Sequence, residues 1–156
     1  MPWYRPTSLA NNIGILSSQG IPWHSLRTAR YPSRAQHQHL CDLSQHLGIH
    51  KIARVCQVDG NLCVNASEHH FTPPADAHYT TNPTVGLSIY TADCLAVFLW
   101  SHQPLWLGAV HAGWRGLLKG VLASTCAFAP KNTLITAWIG PSICAGIGRA
   151  SCRERV

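Results

Sequence analysis

Cys94-Leu95-Ala96-Val97-Phe98-Leu99-Trp100 and Leu105-Trp106-Leu107-Gly108-Ala109-Val110-His111 are two nearly unbroken apolar runs, separated by Ser101-His102-Gln103-Pro104. Short runs without polar alternation predict strands covered on both faces. The second run leads into Ala112-Gly113-Trp114-Arg115-Gly116, where the extended pattern stops. A helix is expected from near Trp114 to about Phe128. Leu117, Leu118, Val121, Leu122 and Thr125 would form its apolar stripe and Pro130 would end it.

Outward from this centre the pattern remains mixed. Ala35, His39, Leu43 and Leu47 recur at helical spacing over residues 34–47, with Gly48 as a C-terminal stop. Lys51–Val58 and Leu62–Val64 are strand-like, and Asp59-Gly60-Asn61 between them predicts a hairpin turn. Asp76–Thr80 and Gly86–Thr91 predict strands across an Asn82-Pro83 turn, and Thr133–Ile139 a last strand before Gly140-Pro141. The first 33 residues, rich in Pro, Ser and Trp, offer one strand around Asn12–Leu16. This order predicts an α+β fold of mixed β-sheets packed in layers with flanking helices.

The 156 residues are 46% apolar and only 12% charged, against about a quarter in ordinary chains, which indicates a globular domain and not a disordered one. No apolar run reaches membrane-spanning length, so no membrane partner is expected. Seven cysteines without a CxxC pair argue against a disulfide framework and for a reducing cytoplasm. The formal charge of +6 is scattered, without a basic stripe or interleaved aromatics, so no nucleic-acid partner is expected either. Residues 147–156, Ile-Gly-Arg-Ala-Ser-Cys-Arg-Glu-Arg-Val, resemble the in-frame translation of a sequencing adapter. They are expected to be a non-native tail after a domain over residues 1–146 that is incomplete at its C-terminus. Three arginines and one glutamate belong to that tail, and without them the charge is +4.

Chemistry concentrates around the two apolar runs. Cys94 and His111 each stand at a strand end, where a thiol and an imidazole are either zinc or copper ligands or ordinary core groups. Arg115, between Gly113 and Gly116 at a helix start, is either an anion anchor or a surface arginine. The two glycines would let backbone approach a phosphate closely. Lys119, one turn later, either assists Arg115 or is solvated, and His37, His39, His69 and His70 are read as solvated. Asp93 and Asp76, two of six acidic residues, each abut a strand and need a partner there. Asp76 is equally readable as a turn residue.

Five ordered blocks carry a resemblance: Gln57-Val58, Ala75-Asp76-Ala77, Thr91-Ala92-Asp93-Cys94, His111-Ala112-Gly113-Trp114-Arg115-Gly116 and Ile139-Gly140-Pro141-Ser142-Ile143. The chain resembles the YfiH-type laccase-domain family, also described as peptidoglycan-editing factors or multicopper polyphenol oxidase-like proteins. The resemblance implies a YfiH-like fold and a purine nucleoside phosphorylase with adenosine deaminase activity at a zinc (alternatively copper) site. It also implies a transferase acting on purine nucleosides and phosphate. Cys94 and His111 fall on two of the family's three metal ligands, and Asp59 stands where the family has histidine. Carboxylate oxygen is an acceptable zinc ligand, so Asp59, Cys94 and His111 with one open position make a catalytic-type set. Arg115 would hold phosphate, with Asp93 orienting Cys94 or His111. The family's N-terminal Ser/Thr-Arg-Gly block and its Cys-Tyr-Glu-Val segment are not kept. The alternatives are a copper-dependent polyphenol oxidase, a Cys94–His111 hydrolase acting in peptidoglycan editing, and a non-enzymatic binding relative.

Overall fold

The computed structural model describes residues 34–68, 72–140 and 142. The strand expected around Asn12–Leu16, His69, His70 and the 147–156 tail lie outside the described residues, as do the side chains of Ala35, His37 and His39.

Helix α1 (Arg34–Leu47) ends where the glycine signal places its stop. Gly48 takes φ +66°, Gly48 N–H donates to the Gln45 carbonyl at 3.1 Å, and Ile49 N–H donates to Ser44 at 3.0 Å. These two bonds satisfy carbonyls that the helix end leaves open, and the left-handed residue that makes them possible carries no Cβ.

The remaining elements are strands β1 (Lys51–Ala53), β2 (Cys63–Asn65), β3 (Ala77–Thr80), β4 (Val85–Leu87), β5 (Leu95–His102), β6 (Leu105–Ala112) and β7 (Thr136–Ile139), with helices α2 (Trp114–Leu118) and α3 (Val121–Cys126). A five-stranded mixed sheet runs in the order β2-β3-β6-β5-β7, and β1 and β4 form a separate parallel pair. The two apolar runs are β5 and β6. They pair antiparallel from His102↔Leu105 to Leu95↔Ala112, with Gln103-Pro104 in the turn.

Both faces of this hairpin are covered, which is why its sequence does not alternate. On one face Val97, Leu99, Trp106, Val110 and Ala77 pack with Val121 and Leu122 of α3. On the other, β3 and β6 meet β4 of the small sheet, and α1 lies on β1. The fold is the layered α+β arrangement that the sequence predicts.

Two local expectations need correction, and a third holds: strands β3 and β4 do flank the turn that follows Asn82. Asp59-Gly60-Asn61 makes no hairpin: β1 and β2 lie in different sheets, and the Val58, Asp59 and Gly60 N–H groups turn toward the Asp76 carboxylate instead of a facing strand. Asn82 caps its turn by accepting from Thr84 N–H at 2.9 Å, yet β4 does not fold back on β3. Both edges of β3 are already taken by β2 and β6, so β4 pairs with β1. The single helix over 114–128 is two helices, broken where Gly120 adopts φ +79°. Val121 and Thr125 keep the core face, whereas Leu117 and Leu118 are 39% and 79% exposed.

His78, on β3, faces the small sheet and is fully buried. It bonds the Ser88 backbone, and its Nε2 has no hydrogen-bond partner among the described residues. Burial pushes its pKa down from 6.5 to about 4, since a second ring proton would have no acceptor. The unfolded chain then binds more protons than the native one between those two values. Stability contributed by neutral His78 is complete above pH 6.5 and is lost as pH falls toward 4, by up to about 3 kcal/mol. Urea midpoints measured across this window are expected to fall more steeply for the wild type than for His78→Gln.

Candidate metal centre

The spacing of seventeen residues between Cys94 and His111 is a consequence of hairpin geometry. Because Leu95 pairs with Ala112 and Ala96 with His111, the register places Cys94 opposite Gly113, diagonal to His111 at the same end of the hairpin. Strand β3 runs alongside β6, and His111 N–H donates to the Asp76 carbonyl at 2.7 Å. The side chains of Asp76 and His111 therefore meet.

Asp76 is fully buried, and both of its carboxylate oxygens are engaged. Gly60 N–H donates to Oδ2 at 2.6 Å, Asp59 N–H to Oδ1 at 3.0 Å, and Val58 N–H to both at 3.1 and 3.2 Å. Oδ1 also lies 2.8 Å from His111 Nδ1. Burial alone would raise the Asp76 pKa, but the bonds from His111, Gly60 and Val58 outweigh it and hold the carboxyl below its ordinary range. A carboxylate on Nδ1 fixes that nitrogen as the protonated one and leaves the Nε2 lone pair for a ligand.

Asp59 sits at φ +57° at the apex of the loop that Asp76 gathers. An ideal Cβ built on Gly113 would lie 3.2 Å from Asp59 Oδ1, 3.3 Å from Cys94 Sγ and 3.4 Å from His111 Cε1. Three side chains separated by up to 52 residues in sequence thus surround one point. Asp59, Asp76 and His111 also place one donor atom each within 4.8 Å of one another. Cys94 Sγ borders the same space but lies outside that group, and the Asp76 carboxylate is already engaged by the Val58, Asp59 and Gly60 N–H groups and by His111. Carboxylate, imidazole and thiol are all acceptable zinc donors.

Charge points the same way. The Cys94 thiol is pushed up by burial first and then by the negative charges of Asp59, Asp93 and Asp76. A divalent cation would offset this field and take the sulfur as thiolate.

Arg115 and Lys119 flank the donors. Arg115 Nη1 donates to Asp59 Oδ2 at 3.3 Å, with the guanidinium 4.7 Å from the Trp114 ring centre. Lys119 Nζ donates to the Asp59 carbonyl at 2.8 Å, so it is not simply solvated, and Asn61 Nδ2 donates back to the Lys119 carbonyl at 2.9 Å. A Cβ on Gly116 would stand 3.0 Å from the Gly60 carbonyl, so glycine here lets α2 pack against the Asp59 loop. Asp93 is exposed; the carboxylate on the His111 ring is that of Asp76. The sequence alone leaves Asp76 undecided, because His111 lies 35 residues away and meets it only through β3–β6 pairing.

A family model described as multi-copper polyphenol oxidoreductase laccase matches residues 32–148. The chain belongs to this family. Laccase-domain relatives include proteins named purine nucleoside phosphorylase YfiH in Shigella flexneri (44% identical) and Escherichia coli K12 (42%), each over 77 residues, 49% of this chain and 32% of the relative. A Rickettsia prowazekii protein named purine nucleoside phosphorylase RP494 is 37% identical over 90 residues, 56% of this chain and 38% of the relative. The matches thus span about a third of the curated relatives' length. Among solved structures, Neisseria meningitidis protein NMB0706 aligns with a TM-score of 0.75 and 29% identity over 92% of this chain and 64% of its own. The Bacillus licheniformis hypothetical protein YfiH shares the fold, with a TM-score of 0.60 and 23% identity over 83% of this chain and 58% of its own.

Proposed function

We propose that this laccase-domain chain carries the metal centre of a purine nucleoside phosphorylase, which cleaves the glycosidic bond with phosphate to free base and ribose 1-phosphate. The observation that carries the reading is the Arg115 guanidinium, 3.3 Å from the same Asp59 carboxylate that converges with Cys94 and His111. A half-exposed cation beside a set of metal donors suits a substrate that brings an oxyanion to a reacting centre. The names of the relatives support the same substrate class.

Asp59, Cys94 and His111 would hold the ion, zinc in preference to copper because a carboxylate joins the imidazole and sulfur. When bound, the ion supplies Lewis acidity, which also suits an accompanying adenosine deaminase activity. Arg115 grips phosphate oxygens and Lys119 adds a second positive charge beside them. Trp114 supports the guanidinium from one side. Asp76 holds the His111 ring in place through Nδ1, so that Nε2 is the nitrogen turned to a ligand. Asp93, exposed next to Cys94, contributes negative charge at the sulfur.

The cysteine-hydrolase alternative needs a readily formed thiolate, whereas the surroundings of Cys94 push its pKa up. A multicopper oxidase needs several histidines, and His111 is the one histidine in the metal-ligand group found among the described residues. The free state of the five described cysteines suits a reducing cytoplasm. No described helix is long and apolar enough to cross a membrane.

Phosphate-dependent release of adenine or hypoxanthine from adenosine or inosine by the zinc-loaded protein tests the proposal. Base release that is indifferent to phosphate contradicts it. Arg115→Ala is expected to raise the phosphate KM by about 10- to 100-fold with zinc content unchanged. An unchanged KM removes Arg115 from the role.

A further inference from the structure

Gly113 links β6 to α2 at φ −64° and ψ 156°, a conformation open to every residue type. Backbone geometry therefore gives no reason for glycine here. Space does. The 3.2 and 3.3 Å approaches of a Cβ to Asp59 Oδ1 and Cys94 Sγ are tight, the 3.4 Å approach to His111 Cε1 is at the limit of ordinary contact, and Asp59 and His111 are held by hydrogen bonds. The His111 ring is tied to Asp76 at 2.8 Å. The Asp59 N–H is tied to that carboxylate at 3.0 Å and its side chain to Arg115 at 3.3 Å. Cys94 directly precedes β5, whose first residue is paired with Ala112. A methyl group at position 113 would have to spread the donors or stand against the ion they hold.

We propose that Gly113 is a specificity-determining residue of the metal centre. By lacking a side chain it leaves free the position a Cβ would take, 3.2 to 3.4 Å from atoms of Asp59, Cys94 and His111. That space admits a single non-hydrogen atom to the ion, a water oxygen or one substrate heteroatom. The role differs from close backbone approach to a phosphate, and it rests on the metal-centre reading above.

Calorimetric titration of zinc into the metal-free wild type and Gly113→Ala tests it. The wild type is expected to bind one zinc, and Gly113→Ala to bind about 10- to 100-fold more weakly with its circular dichroism unchanged. Zinc binding by neither protein defeats the metal-centre reading itself. Equal affinity in both overturns the role of Gly113 alone. If Gly113→Ala loses its fold, Gly113→Ala/Cys94→Ala decides the matter without metal, because removing the sulfur gives the methyl room. Recovery of part of the lost thermal midpoint in the double variant supports the proposal. Simple addition of the two losses, or a double variant that also fails to fold, overturns it.

Discussion

Asp76→Ala is expected to cost the fold about 3–5 kcal/mol and the metal centre about 10- to 100-fold in zinc affinity. The stability loss arises because three backbone N–H groups, those of Val58, Asp59 and Gly60, lose their acceptor in a fully buried place. The affinity loss has a separate origin. Without a carboxylate on Nδ1, the His111 ring can turn and can carry its proton on the nitrogen that should bind metal. Asp76→Asn separates the two effects, because an amide oxygen can still accept from the loop while the charge on the ring is gone. Urea midpoints of the metal-free proteins and zinc titrations of both variants check the pair of effects. An Asp76→Ala protein as stable as the wild type, binding zinc equally well, would show that the gathered loop and the fixed ring are unimportant.

Cys94→Ala and His111→Ala are each expected to weaken zinc binding at least about 100-fold, the largest effect on the site itself. Each takes one of the three proposed donors and would leave too few for a protein-held tetrahedral ion. The thermal signature makes this measurable without any assay of turnover. Zinc at about 100 times its Kd stabilises a protein that binds it only when folded by about 2.7 kcal/mol. The wild type should show that increment and both variants should lack it. In the metal-free state Cys94→Ala should unfold close to the wild type, since the thiol it removes is only partly buried. His111→Ala should be less stable, because it strands the Asp76 carboxylate.

Much of the framework is legible in the chain because its signals are local. The unalternating runs 94–100 and 105–111 announce strands with two covered faces, and Gly48 announces the end of α1 by the conformation it permits. The proximity of Cys94 and His111 follows once those runs are paired across Gln103-Pro104. What stayed hidden depends on distant partners. The Asp59-Gly60-Asn61 segment carries the composition of a hairpin turn, but a carboxylate 16 to 18 residues further on competes for its N–H groups and wins. Gly120 sits inside an apolar stripe of helical period, and only the tertiary demand that Val121 and Thr125 face the sheet shows that the chain turns there. The role of Gly113 was readable as glycine but not as space, since the atoms it accommodates come from three separate elements.

X-ray absorption at the zinc edge of the reconstituted protein tests the central claim most directly. One zinc per chain is expected, with one sulfur at about 2.3 Å and the remaining scatterers, imidazole nitrogen and oxygen, at about 2.0–2.2 Å. The sulfur contribution should vanish in Cys94→Ala. A protein that binds no stoichiometric zinc, or a wild-type spectrum without sulfur, would contradict the convergence of Asp59, Cys94 and His111 on one ion.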